Sequence, residues 1–116
     1  NIMTKQHEPK RGEVWWINFD PSVGGEIQKT RPAVIVSNDM ANKALNRIQV
    51  VPVTSSIKNL YPAECFVTVK GKQSKAMADQ LTTISKLRLV SKIGKISKEN
   101  LKDIERVVML QLDINI

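Results

Sequence analysis

Apolar residues in this chain come in short alternating or β-branched runs, each stopped by turn chemistry, and only after Ser97 does their spacing become that of a helix. The ordering argues for a mainly β, α+β protein: a small curved sheet or barrel with one terminal helix packed against it. Glu13 to Phe19 reads as the first strand, ended by Asp20-Pro21-Ser22, and Ala33 to Ser37 as the second. Asn38-Asp39 offers a cap for a short helical stretch from Met40 to Leu45. The third strand, Ile48 to Val53, contains Pro52, which cannot donate to a ladder and is expected to mark an edge or a bulge just before Thr54-Ser55-Ser56.

Farther along, Ala63 to Val69 alternates, Gly71 marks a turn, and Lys75 to Leu81 reads as a strand carrying Asp79. A short turn or helix is expected around Ser85 to Leu89, then a strand from Val90 to Ile96 interrupted by Gly94. Ser97 caps the closing helix, whose first turn holds Glu99 and whose apolar face is expected to be Leu101, Ile104, Val108 and Leu112.

A length of 116 residues with 41% hydrophobic content fits one globular domain from residue 11 to 116, after a polar lead, 1–10, in which Met3 is a natural start. No apolar run approaches the roughly 20 residues of a membrane helix and no secretory signal is recognisable, so the expectation is a soluble, cytoplasmic protein with no membrane partner. Cys65, the only cysteine, stands in an alternating run and reads as a buried small hydrophobe. With His7 the single histidine, in the polar lead, there is no His/Cys cluster for a metal and no histidine-supported nucleophile. Catalysis would fall to Arg, Lys, Asp, Glu, Thr or Ser, with neither metal nor cofactor.

The formal net charge is +7, and between Lys70 and Lys98 eight basic residues stand against one acid, Asp79. That run, Lys70, Lys72, Lys75, Lys86, Arg88, Lys92, Lys95 and Lys98, reads either as a polyanion-attracting surface or as a solubilising face. The stretch from Gly24 to Ser37 joins a glycine-hinged polar loop to a strand, and Pro32 biases Arg31 toward extended backbone, so the guanidinium is held at the strand mouth.

Taken in order, Arg11-Gly12-Glu13-Val14-Trp15, Asp20-Pro21-Ser22-Val23-Gly24, Lys29-Thr30-Arg31-Pro32-Ala33-Val34, Val51-Pro52-Val53-Thr54-Ser55, Asp79-Gln80 with Thr83-Ile84, and the helix from Ser97 to Leu112 resemble the MazF/PemK/Kid family of toxin endoribonucleases. The resemblance runs from about Arg11 to Leu112. It implies an SH3-like barrel of the CcdB/MazF type, a homodimer, a cognate antitoxin, and metal-independent cleavage of single-stranded RNA by 2′-hydroxyl attack. It also implies Arg31 and Thr54 as catalytic residues, the arginine stabilising phosphate charge and the threonine orienting the phosphate or the 2′-hydroxyl. Glu26 and Gln28 are expected to read bases, hold Arg31 or remain solvated, with Lys29, Ser55 and Gln80 as further RNA contacts.

Asp79 stays open between general base, base-edge contact and structural hydrogen bond. In the branch of the family that uses this aspartate as base an arginine stands two residues earlier, where this chain has Met77, and the histidine of that branch is represented here by Gly25. Trp15 and Trp16 offer stacking platforms, although their place in the first strand favours core and interface packing. Two other readings are a CcdB-like gyrase poison, disfavoured because Leu110 to Ile116 holds no tryptophan, and a non-catalytic RNA-binding module.

Overall fold

A computed structural model describes residues 8–115; His7, Met3 and most of the polar lead lie outside the described residues. The elements are β1 (Glu13–Asn18), β2 (Thr30–Ile35), α1 (Asp39–Ala44), β3 (Arg47–Thr54), β4 (Glu64–Val69), β5 (Lys72–Met77), β6 (Thr82–Ser85), β7 (Leu89–Lys95) and α2 (Lys98–Gln111). Single 3-10 turns, Ala78–Gln80 and Lys86–Arg88, flank β6. The strands form one seven-stranded antiparallel sheet in the order β4-β5-β3-β2-β1-β7, with β6 also paired to β3. The expected mainly β architecture closed by a helix is borne out. Among the described residues no helix is long and apolar enough to cross a membrane.

The central strands carry apolar residues on both faces because the curled sheet encloses a core on each side. Val14, Val34 and Val51 join Val53, Val67, Ala76, Ile96, Ile104 and Val107 under α2. Their neighbours Trp15, Ile17, Ala33, Ile35 and Val50 turn the other way, to Phe19, Ile48 and Ile84. Strand side chains alternate between faces, so one slab made of β1, β2 and β3 serves both cores. Cys65 is buried in the first of them, and burial, with a smaller push from the Asp103 carboxylate, raises its thiol to about 11.

Helix α2 begins where the sequence places its cap: Ser97 Oγ accepts from the Asn100 N–H at 3.0 Å, with Glu99 in the first turn. It packs on β4 and the 78–80 turn, and Asn100 Oδ1 accepts from Thr68 N–H at 2.9 Å. Ile104 and Val107 are its buried residues, while Leu112 is 52% exposed. The expected face is therefore corrected by one position: the helix breaks its contact with the sheet before Leu112, and Val107 takes up the core volume.

Three other expectations change. Pro52 lies in the central strand, opposite Ala33, not at an edge. Gln49 directs its N–H to Ser37 Oγ and its carbonyl to Val36 N, both on the β2 side. By alternation Pro52 points its nitrogen to the other flank, where pairing to β6 ends at Val50 and pairing to β5 begins at Val53. The missing donor costs no ladder bond there. Asp79 stands on a 3-10 turn, since β5 ends at Met77, and the polar run Thr82–Ser85 is a strand. The interruption near Gly94 is a register shift against β1: Val14 faces Gly94 and Trp15 faces Lys92.

Candidate functional site

Where the ends of β1, β2, β3 and β5 splay apart at the seam of the curled sheet, a cleft of ≈ 590 Å³ opens. It is lined by Arg31, Thr54, Ser55 and Lys29 among the expected residues, and by Trp16, Lys70, Lys72 and Ser74 in addition. Strand β2 begins at Thr30, so Arg31 and Pro32 are strand residues. Carrying the register of Ala33 opposite Pro52 two residues onward sets Arg31 across from Thr54. Both residues line the same cleft, just beyond the last β2–β3 pair.

Arg31 is half-buried, and its Nε donates to the Gln28 carbonyl at 3.0 Å. Among the described residues no carboxylate pairs with it, so a guanidinium, whose planar fork of donors suits a phosphate, lines the cleft without a counter-charge. Thr54 Oγ1 accepts from Ser56 N–H at 3.2 Å, so the hydroxyl proton is available to an incoming oxygen. The lining holds four cations, Lys29, Arg31, Lys70 and Lys72, and no carboxylate. Such a concave, one-signed surface concentrates a polyanion.

Two of those lysines sit in the left-handed region, Lys29 at φ 69° and Lys70 at φ 50°. A side-chain-bearing residue there costs of order 1–3 kcal/mol unless its surroundings hold it. Lys29 is held by Asp20 Oδ1, which accepts its N–H at 2.8 Å, and by Phe19 N–H, which donates to its carbonyl at 2.9 Å. Lys70 and Gly71 form the two-residue turn between β4 and β5, and the Lys70 stem crosses Gly94 of β7 at 3.9 Å from where a Cβ would stand. The hairpin tip is thereby tucked against the far strand, with its lysines on the cleft.

The remaining expected residues lie elsewhere. Glu26, Asp79 and Gln80 line a separate cleft of ≈ 360 Å³ with Thr82, Thr83 and Arg88. Gln80 reaches back to the first loop: its Oε1 accepts from Ile27 N–H at 3.2 Å and its Nε2 donates to Gly25 O at 3.3 Å. Glu26 Oε1 accepts from Val23 N–H at 2.9 Å and so stiffens the same loop. Gln28 is exposed and contributes its carbonyl to Arg31. Seven of the eight expected residues thus divide between a cationic cleft and a mixed polar one, and Gln28 lines neither.

The reading of the basic run is corrected, and the two tryptophans are told apart. Lys75, counted with the basic surface, is only 6% exposed and ion-paired to Glu64 at 2.9 Å, and Lys92 pairs with the buried Glu13 at 3.1 Å. Of the two tryptophans, Trp15 is core, but Trp16 is 42% exposed and lines the cationic cleft. Strand alternation, which forces neighbours to opposite faces, was the available signal for that difference. Lys70 and Lys72 were equally legible as the flanks of a Gly turn, but nothing local tells which strand end the hairpin tip will touch.

Residues 10–112 match the family model for PemK-like, MazF-like toxins of type II toxin–antitoxin systems. The chain is 40% identical over 114 residues to Endoribonuclease MazF9 of Mycobacterium tuberculosis, covering 90% of this chain and 97% of that protein. It is 33% identical over 101 residues to Endoribonuclease toxin MazF of Escherichia coli, covering 86% and 90% of the respective chains. The crystal structure of MazF from Deinococcus radiodurans superposes with a TM-score of 0.84 at 25% identity, over 93% of this chain and 99% of that one. With the sheet, the terminal helix and the ordered motifs in agreement, the chain belongs to the PemK-like, MazF-like toxin family of type II toxin–antitoxin systems.

Proposed function

We propose that this chain is an endoribonuclease toxin that cuts single-stranded RNA at short sequences in the cationic cleft, with Arg31 and Thr54 at the reacting phosphate. The observation that carries the reading is a guanidinium, anchored through Nε and free of carboxylates among the described residues, set across from a strand-end hydroxyl in a cleft lined by cations. The ribose 2′-oxygen attacks the adjacent phosphorus and the bond to the 5′-oxygen breaks. The 2′-hydroxyl gives up its proton, the departing 5′-oxygen gains one, and the products are a 2′,3′-cyclic phosphate and a 5′-hydroxyl. Arg31 neutralises the charge that accumulates on the phosphoryl oxygens, and Thr54 donates to one of them. A guanidinium offers donors and no acceptor, so the part of Arg31 is electrostatic rather than that of a proton carrier.

Glu26, Asp79 and Gln80 belong in this reading to recognition of neighbouring bases and to the set of the first loop, with Lys29, Ser55 and the backbone-anchoring Gln28 completing the RNA path. The protein works as a homodimer in the cytoplasm, where RNA is available to it. A cognate antitoxin, an acidic and partly disordered chain, lies along the cationic cleft and silences it.

Incubating the purified protein with a long single-stranded RNA in excess EDTA tests the reading. Cleavage at short defined sequences with 5′-hydroxyl ends is the expected result; intact RNA, or ends bearing a 5′-phosphate, overturns it. The lysines of the hairpin give an independent measurement. Replacing Lys70 and Lys72 with alanine should weaken binding to all single-stranded sequences alike and flatten the slope of log affinity against log salt by about 1.4 for two lost phosphate contacts. A slope unchanged in a titration by fluorescence anisotropy would remove both lysines from the RNA path.

A further inference from the structure

Lys75 is the cross-ladder partner of Thr54, yet its charge does not face the cleft. The side chain is buried, and its ammonium donates to the Asn59 carbonyl at 2.5 Å and to Glu64 Oε1 at 2.9 Å, with the Tyr61 ring centroid 5.5 Å away. Glu64 Oε1 also accepts from Tyr61 N–H at 2.9 Å, and the Glu64 N–H returns a bond to Tyr61 O at 2.9 Å. Asn59 and Tyr61 lie on the far limb of one connection, residues 55–63, which Glu64 closes as the first residue of β4, and whose near limb begins with Ser55 on the cleft and Ser56 bonded to Thr54 Oγ1. A buried ion pair adds little net stability over an apolar pair of the same shape, so stability alone does not account for a lysine here. What it does supply is a fixed distance between strand β5 and the middle of the connection.

We propose that Lys75 is a positioning residue for RNA cleavage: by gripping Asn59 and Glu64 it sets the connection that carries Ser55 and holds the Thr54 hydroxyl at the cleft. The inference rests on the assignment of Arg31 and Thr54 above. With the latch open, Thr54 remains on its strand, but the chain beyond it drifts and Ser56 no longer fixes the hydroxyl. Binding by the cationic lining is untouched, because Lys75 contributes no charge to it. Loss should therefore appear mainly in kcat, with only the small change in KM that a displaced Ser55 brings, since misplacement of a group that acts on the transition state slows the chemical step.

The test is the double variant Lys75→Met with Glu64→Gln, which removes both buried charges together while the amide oxygen of the new side chain can still accept from Tyr61 N–H. Purified, and shown folded by circular dichroism, it should cleave RNA with kcat lowered about tenfold to a hundredfold at near-unchanged KM. Amide exchange across residues 55–61 should quicken at the same time, with α2 protected as before. An unchanged kcat overturns the proposal, as does a lowered kcat with exchange in the connection unaltered, or a loss confined to KM. If the double variant does not fold, Lys75→Gln, too short to reach both acceptors at once, takes its place with the same readouts. Arg31→Ala is run in parallel: activity surviving in Arg31→Ala sinks the site assignment itself, whereas an inactive Arg31→Ala beside a fully active Lys75 variant sinks only the latch.

Discussion

Replacing Arg31 with alanine is expected to slow RNA cleavage by about a hundredfold to a thousandfold, equivalent to roughly 2.7–4 kcal/mol of lost transition-state stabilisation. The protein should stay folded. Arg31 is half-buried at a strand end, its side-chain Nε donates to the Gln28 carbonyl, and no ion pair among the described residues depends on it. The loss belongs in kcat more than in KM, because Lys29, Lys70 and Lys72 continue to attract the strand. Arg31→Lys keeps the charge but not the two parallel donors, nor the Nε bond that aims them, and should recover only part of the rate. Single-turnover cleavage of a fluorescent RNA measures all three proteins. Arg31→Ala cutting at the rate of the unaltered protein would dismiss the guanidinium from the chemistry.

The second large effect lies in the core. Ile104 on α2 is fully buried, among Val14, Val34, Val51 and Ala76 of the sheet. Ile104→Ala deletes the side chain from the contact that holds the helix to the curled sheet and should cost about 2–5 kcal/mol. Against a total of about 5–15 kcal/mol for a domain of this size, that is a large share. The melting temperature is expected to fall on the order of 10–20 °C. Ile104→Val, which removes only one methylene, should cost about 0.5–1.5 kcal/mol. Equal denaturation midpoints for the two variants would show that the helix is not secured through this residue.

The sequence was most legible where local chemistry and tertiary demand coincide. Asn38 and Ser97 cap the helices they were expected to cap, with Oδ1 and Oγ accepting from backbone N–H groups three residues on. Gly71 turns the hairpin it was expected to turn, at φ 76°. Errors arose where the outcome depends on distant partners. Pro52 breaks a ladder in general, but not at the one place where two flanking strands trade off. Thr82–Ser85 lacks an apolar alternation of its own and becomes a strand because β3 presents an open flank to it. Lys75 is basic in composition and internal in fact, since Glu64 and the Asn59 carbonyl await it across the sheet. For the site, order along the chain singled out Arg31 and Thr54, and both line the cationic cleft beyond the last β2–β3 pair. The division of the polar residues between two clefts had no local sign, because it follows from how far the sheet curls.

The slab of β1, β2 and β3 is the common wall of two hydrophobic rooms, while the residues that line both clefts come mostly from its rims and from the turns beyond them. Structural demand is concentrated in the wall, where one altered side chain disturbs the packing on its own side and shifts the backbone that the opposite side shares. At the rims the constraint is far lighter. A lineage built on this plan can exchange the side chains that meet its target with little penalty to folding, so target preference is free to diversify while the masonry behind it stays put.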